Sequence, residues 1–204
     1  MRFAKKIPQT DQGLSASLIA DGWFRIREAP NIIVAFFFSV PFMFINSLIS
    51  YLVITQSDKE VASVIRDLFV TGSWTLTIRI DYIIYIYIVI VLHEIVHLLF
   101  VPNFYKSDKT YFGIKLWGGF VFTTERISKG RFVIITLAPF LLMSVILPFI
   151  LGQANMLNGF IVFLIFLNAL SSSVDMLNTF LVAIQVPNGS MIINNGFESY
   201  YKKV

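Results

Sequence analysis

The stretch that decides the fold reads Tyr82-Ile-Ile-Tyr-Ile-Tyr-Ile-Val-Ile-Val-Leu-His93-Glu94-Ile-Val-His97-Leu-Leu-Phe-Val101. Its β-branched and aromatic residues are typical of a β-strand by propensity. Its twenty residues, however, match the length that a helix needs to cross a bilayer. A lone strand cannot satisfy its backbone hydrogen bonds in lipid, so length decides the assignment. We therefore predict a membrane-spanning helix here.

The composition of the whole chain agrees with a membrane protein. Of 204 residues, 56% are hydrophobic and only 14% are charged, and the mean hydropathy is +0.75. Soluble domains carry about 25% charged residues, so this chain could hardly cover a water-exposed surface. The composition disfavours disorder, nucleic-acid binding and an ordinary soluble enzyme. The absence of cysteine excludes disulfides and thiolate metal ligands.

Four stretches are long and apolar enough to cross a membrane, and they lie at 32–55, 82–101, 132–151 and 157–184. Residues 111–123 are expected to form two short strands around Gly118-Gly119. The predicted fold is an all-α integral membrane protein of about four transmembrane helices, with a small cytoplasmic β-hairpin between helices two and three. The predicted organisation is an N-terminal cytoplasmic segment (1–31), a transmembrane domain (32–184) and a cytoplasmic tail (185–204).

The distribution of Lys and Arg predicts the orientation. With both termini inside, thirteen of these residues face the cytoplasm and three face outward, which fits the positive-inside rule. Three segments outside the spans carry weaker expectations. Residues 14–28 suit either a short amphipathic helix on the inner surface or a solvated basic arm. Residues 58–70 are expected to be helical, and 75–81 to form a short strand.

Only four ionisable residues of the Asp, Glu, Lys, Arg and His types fall inside the predicted spans: His93, Glu94, His97 and Asp175. Such groups are costly in lipid and point to function. His93-Glu-Ile-Val-His97 is an HExxH sequence, and its i, i+4 spacing puts both imidazoles on one helix face, where they can share a metal. Glu94 is then expected to accept a proton from the metal-bound water. The alternative is that the two histidines bind no metal and are only hydrogen-bonded within a helix bundle.

Zinc needs a third protein ligand, which must here be a carboxylate. Asp175 is the candidate, because His93 and Asp175 each lie about 12 to 14 Å before the inner end of their spans at 1.5 Å per residue. Asn168, Ser171, Ser172 and Asp175 form one polar stripe on the fourth span. For Ser171 to Ser173 we favour simple helix packing. Asn168 is expected either to hold substrate, as an oxyanion stabiliser, or to support the metal ligands.

These residues resemble a known group. His93-Glu-Ile-Val-His97, Ala138-Pro139, Asn168…Ser171…Asp175 and the tail Val186-Pro-Asn-Gly189…Tyr200-Tyr201 are similar to the bacterial Putative zincin peptidase membrane family, distant relatives of the site-2 proteases. The resemblance covers about residues 85–204. It implies a zinc ion held by His93, His97 and Asp175, with Glu94 as general base, in a multi-pass protein of the bacterial cytoplasmic membrane.

The expected function is zinc-dependent endopeptidase activity on membrane-associated protein or peptide substrates, inside or beside the bilayer. The main alternative is a metal-binding but non-proteolytic membrane regulator or assembly protein. A metal transporter is a weaker third idea, because spans one and three carry no charge. The hairpin at 111–123 is expected either to pair with an extended substrate strand, as in similar membrane proteases, or to cap the site from cytosolic water. The expected partners are the lipid bilayer and that substrate, without nucleic acid.

Overall fold

The computed structural model describes residues 1–6, 8–71, 79–115 and 118–204. Within these ranges, four helical segments are long and apolar enough to cross a membrane. They confirm the four predicted spans, with ends that differ by at most three residues, and run over Ile32–Ser57, Ile80–Phe100, Lys129–Gln153 and Gly159–Gln185. Many of their large apolar side chains are exposed, as expected for helices whose solvent is lipid rather than water.

The third and fourth spans are interrupted helices. The third span runs from α5 (Lys129–Phe140) through a π-helical segment (Leu141–Ile146) into α6 (Leu147–Gln153). The fourth consists of α7 (Gly159–Ser171) and α8 (Ser173–Gln185). The first and second spans are the continuous helices α2 (Ile32–Ser57) and α4 (Ile80–Phe100). A π-helical turn holds one extra residue and frequently accompanies functional sites.

Two small β-sheets make the expected all-α class only approximate. The first has the order β1-β3-β4 and contains β1 (Arg2–Phe3), β3 (Thr110–Lys115) and β4 (Gly118–Thr123). Strands β3 and β4 pair antiparallel, which confirms the predicted hairpin, although Gly118 and Gly119 lie within β4 and not between the two strands. The second has the order β2-β7-β6-β5 and contains β2 (Phe24–Arg25), β5 (Ile127–Ser128), β6 (Ser190–Asn195) and β7 (Glu198–Lys203).

The segments before and after the spans meet in the second sheet. Strand β2 from the N-terminal segment pairs with β7 of the C-terminal hairpin, with Phe24 opposite Tyr201. The hairpin turns at Gly196, whose φ of 62° lies in the region that glycine adopts without strain. The sheet therefore ties together two segments that the sequence alone treats separately.

Residues 14–28 form neither a single amphipathic helix nor a solvated arm. Helix α1 (Gln12–Ala20) starts at Asp11, whose side chain accepts hydrogen bonds from two backbone amides of the first turn, and it is followed by β2. Leu18 and Trp23 pack with Ile193 and Tyr200 of the C-terminal hairpin in a buried cluster. Burial of this aromatic cluster, which the pattern of residues 14–28 does not reveal, holds the segment against the sheet.

The expectations for residues 58–70 and 75–81 have different outcomes. The helix expected at 58–70 is confirmed as α3 (Lys59–Thr71). The strand expected at 75–81 falls mainly on residues outside the described ranges, and the second span already begins at Ile80.

Replacing Trp23 with Ala should loosen the C-terminal hairpin, while Phe24→Ala should not. Trp23 is 6% exposed in the aromatic cluster, whereas its neighbour Phe24 is 63% exposed. Truncating a buried Trp to Ala costs about 3–5 kcal/mol. Hydrogen exchange of the backbone amides of residues 190–203 in detergent should therefore speed up strongly in the Trp23 variant alone. Equal exchange in the two variants would contradict this packing.

Candidate metal centre

Three side chains from the second and fourth spans converge on one point. His93 and His97 lie one turn apart on α4, and Asp175 lies in the first turn of α8. The Nε2 atoms of His93 and His97 lie 3.3 and 3.4 Å from the same carboxylate oxygen, Oδ2 of Asp175. Within the described part of the chain, one ligand atom from each residue lies within 4.8 Å of the others. The expected trio is thus brought together, although His93 and Asp175 are 82 positions apart in the sequence.

The hydrogen bonds on the far side of each imidazole decide which nitrogen faces the centre. Nδ1 of His93 lies 3.0 Å from Oδ1 of Asn168, and Nδ1 of His97 lies 2.7 Å from the backbone carbonyl of Ile135. Both partners are acceptors, so each Nδ1 carries the hydrogen. In each neutral imidazole, Nε2 is then the nitrogen that can bind a cation, and it faces Asp175. Two such nitrogens beside one carboxylate oxygen can share a bound cation.

A proline explains why the Ile135 carbonyl is available to His97. In an α-helix the carbonyl of residue 135 accepts from the N–H of residue 139. Residue 139 is proline, which has no N–H to donate. The carbonyl of Ile135 is thereby left free within its own helix and accepts from His97 instead. Ile135 was not predicted from the sequence, although its position four residues before Pro139 could have indicated a free carbonyl in the third span.

Asn168 is held by the π-helical part of the third span. Its Nδ2 donates to the carbonyl of Pro139 at 3.2 Å and to Oγ of Ser144 at 2.8 Å. Ser144 in turn donates to the carbonyl of Ile165 at 3.1 Å. Asn168 is 1% exposed and Ser144 is fully buried. Both N–H groups of the Asn168 amide therefore donate hydrogen bonds inside the protein, and its oxygen is directed at His93.

Ser144 was not predicted either, and no pattern in the sequence indicates its role. The π-helical segment Leu141–Ile146 adds a residue to the turn, so regular helical spacing places the side chains after Pro139 on the wrong face. The serines of the polar stripe on the fourth span fit the packing interpretation. Ser171 and Ser172 donate back to the carbonyl of Asn168 at 3.0 and 2.8 Å.

Glu94 lies beside the ligand trio without joining it. Strand β4 passes so close to this side chain that a Cβ atom at Gly119 would overlap Cγ of Glu94. Only glycine allows this approach of backbone to carboxylate stem. A cavity of about 520 Å³ is lined by Glu94, His93, His97 and Asp175 together with residues 118–121 of β4. The carboxylate of Glu94 therefore shares one space with the three candidate ligands.

Strand β4 presents a free edge beside this cavity. In the described part of the sheet, β4 pairs with β3 alone and forms the end of the order β1-β3-β4. It also packs directly against α4, which carries both histidines. An unpaired strand edge can accept a further extended segment. Both expectations for the hairpin, a binding edge and a cap, remain compatible with this placement.

Chemically, two buried imidazoles and one carboxylate suit a divalent transition metal such as zinc, which binds nitrogen and oxygen ligands in a tetrahedral arrangement. The three residues leave a fourth position open in such an arrangement, as is typical of catalytic rather than structural sites. Glu94 adds a carboxylate that is free to exchange protons. A site of this kind is suited to hydrolysis.

Comparison with known proteins gives one match. A family model described as "Putative zincin peptidase" matches residues 86–191, which is just over half of the chain. The matched region contains both histidines, Glu94, Asn168 and Asp175. No curated protein and no solved structure matches the chain.

Proposed function

The chain belongs to the Putative zincin peptidase family, and from this premise we propose that it is a zinc-dependent endopeptidase that cleaves membrane-associated substrates within or beside the bilayer. The main support for the proposal is the pair of histidines whose Nε2 atoms face one oxygen of Asp175. That arrangement lies in spans apolar enough to cross a membrane, beside a carboxylate that is not part of the trio.

In this proposal His93, His97 and Asp175 hold the zinc ion. When bound at such a site, zinc acts as a Lewis acid towards a carbonyl oxygen and makes water a stronger nucleophile at neutral pH. The role of Glu94 is to accept a proton from the attacking water at its carboxylate and to deliver it to the leaving amine. The cavity of about 520 Å³ supplies room for the reacting segment.

The contacts of Asn168 favour a positioning role over the oxyanion role. Both hydrogens of its amide are already donated, to Pro139 and Ser144, and its oxygen accepts from His93. We therefore assign Asn168 to fixing the tautomer and orientation of the His93 ring. An oxyanion would then have to be stabilised by other donors, and the backbone amides of β4 are candidates because β4 lines the same cavity.

We also propose that an extended segment of the substrate pairs with the free edge of β4. Peptide carbonyls in a helix are enclosed by their own hydrogen bonds, so a scissile bond must be extended before water can attack it. Strand β4 lies against Glu94 and lines the same cavity as the ligand trio. If the hairpin acts only as a cap, no pairing with substrate takes place.

The proposed location is the bacterial cytoplasmic membrane, with both termini in the cytoplasm. The support is the excess of Lys and Arg in the segments that this orientation places inside. Both sheets, which contain the segments at the two ends of the chain, then lie on the cytoplasmic side.

Replacing Asn168 with Ala should weaken zinc binding by about 10- to 100-fold, the usual effect of losing a hydrogen-bond partner of a metal ligand. Ser144→Ala removes only one of the two acceptors that bind the Asn168 amide group and should cost less. Ser50→Ala is the matched control, because Ser50 is buried, donates only to a backbone carbonyl of its own helix and lines neither cavity at the trio. Competition with a chromogenic zinc chelator measures all three affinities. Unchanged affinity in the Asn168 variant would refute the positioning role.

Turnover tests the proposal itself. The purified protein should be reconstituted with zinc in phospholipid vesicles and incubated with the membrane-protein fraction of its host cell, and new peptide termini should be identified by mass spectrometry. Endopeptidase activity predicts termini that appear with the wild type and disappear with Glu94→Gln. Zinc binding without any such termini would favour the alternative, a metal-binding regulator or assembly protein.

A further inference from the structure

A second cavity also reaches the candidate metal ligands. Its volume is about 210 Å³, and it shares His97, Asp175 and Val121 with the larger cavity. It extends to the sheet formed by the two end segments of the chain, because Asn194 and Ser199 line it as well. The proposed mechanism makes no use of this cavity.

The walls of the second cavity combine apolar and polar side chains, and they include one carboxylate that is not a candidate ligand. Six aliphatic or aromatic side chains line it: Val101, Val121, Phe122, Ile127, Phe132 and Ile135. The carboxylate is that of Glu28, in the N-terminal segment. Among the described lining residues there is no Lys or Arg. The cavity thus combines an apolar wall with one negative group, a combination that suits a long aliphatic chain ending in a cation.

The surroundings of Glu28 leave its negative charge poorly compensated. Its two carboxylate oxygens accept hydrogen bonds from the backbone N–H and the hydroxyl of Ser199, both at 2.8 Å. Burial nevertheless raises the pKa of Glu28 above its usual value, against the lowering effects of Ser199 and Arg25. The guanidinium of Arg25 is paired at 2.9 Å with a different residue, Glu198. A further cation arriving from the cavity would therefore be stabilised.

We propose that this cavity is a specificity pocket for a Lys or Arg side chain of the substrate, next to the scissile bond, with Glu28 binding the terminal cation. The inference rests on the proposed peptidase function and adds its substrate class. The size agrees: the five to seven heavy atoms of these side chains need about 150 to 210 Å³ if each occupies about 30 Å³, as a water molecule does. The larger cavity then holds the peptide backbone.

The test compares two small ligands that differ in the terminal cation. N-acetyl-lysine hydroxamate and N-acetyl-norleucine hydroxamate carry the same metal-binding group and four-carbon chain, but only the first has an ammonium group. Isothermal titration of the zinc-loaded protein in detergent should show that the lysine compound binds about 10- to 100-fold more tightly, as expected for a charge-assisted contact. Glu28→Gln should abolish this preference and leave the affinity for the norleucine compound unchanged.

Glu60→Gln is the control, because Glu60 is exposed at the start of α3 and does not line the cavity, and this variant should keep the preference. Equal affinities in the wild type, a preference that survives Glu28→Gln, or binding of neither compound to zinc-containing protein would overturn the pocket. The zinc content of the same samples separates these results from failure of the proposed function. A wild type that takes up no zinc overturns the peptidase proposal and the pocket with it.

Discussion

Replacing Glu94 with Gln is expected to lower peptide-bond hydrolysis by about 10²- to 10⁴-fold, the range that a general base contributes. Gln keeps the size of the side chain, so the close approach of Gly119 is preserved. The amide, however, accepts no proton at neutral pH. Because Glu94 does not belong to the trio of His93, His97 and Asp175, zinc should remain bound in this variant. The expected signature is therefore an inactive protein with normal metal content.

The measurement compares turnover and zinc content in the same preparations. Glu60→Gln is a suitable control, because Glu60 is exposed at the start of α3 and should affect neither property. Turnover retained in the Glu94 variant would refute the proposed role of this residue. Loss of zinc together with turnover would instead show that Glu94 is needed for metal binding, which the present geometry does not predict.

The four spans and the grouping of His93, His97 and Asp175 could be predicted, because they follow from simple rules of length, spacing and charge. Length and hydropathy are enough to identify a helix in lipid. The i, i+4 spacing of His93 and His97 places both imidazoles on one face, and the scarcity of ionisable residues in the spans leaves Asp175 as the partner carboxylate. The structure brings these three together within 4.8 Å.

The hydrogen bonds that hold the His93 and His97 rings in place could not be predicted, because they depend on irregular backbone geometry. The free carbonyl of Ile135 arises from the missing N–H of Pro139, and Ser144 reaches Asn168 through a π-helical segment that shifts the helical register. Hydropathy carries no information on such shifts.

The second sheet was missed for a different reason. Its strands come from both ends of the chain, and β2 has only two residues. The partner of a strand that short is fixed by long-range packing, here by Trp23 against Tyr200 and Ile193. The same packing brings Glu28 next to Ser199 and so forms part of the second cavity. No feature near Glu28 in the sequence indicates this placement.

Replacing Asp175 with Ala is expected to weaken zinc binding by more than about 100-fold, because a direct ligand should count for more than the hydrogen-bond partner of a ligand. Asp175 offers the one oxygen that faces both Nε2 atoms. Without it, two histidines remain, and two ligands do not make a stable zinc site. Asp21→Ala is the control, because Asp21 is exposed at the end of α1 and lines neither of the two cavities that contain Asp175.

The most direct test of the metal centre is elemental analysis of the detergent-purified protein, with wild type, Asp175→Ala and Asp21→Ala prepared in parallel. We expect nearly one zinc ion per chain in the wild type and in the Asp21 variant, and almost none in the Asp175 variant. A wild type that holds no zinc even after reconstitution would contradict the metal centre. Zinc retained without Asp175 would contradict the assignment of the third ligand.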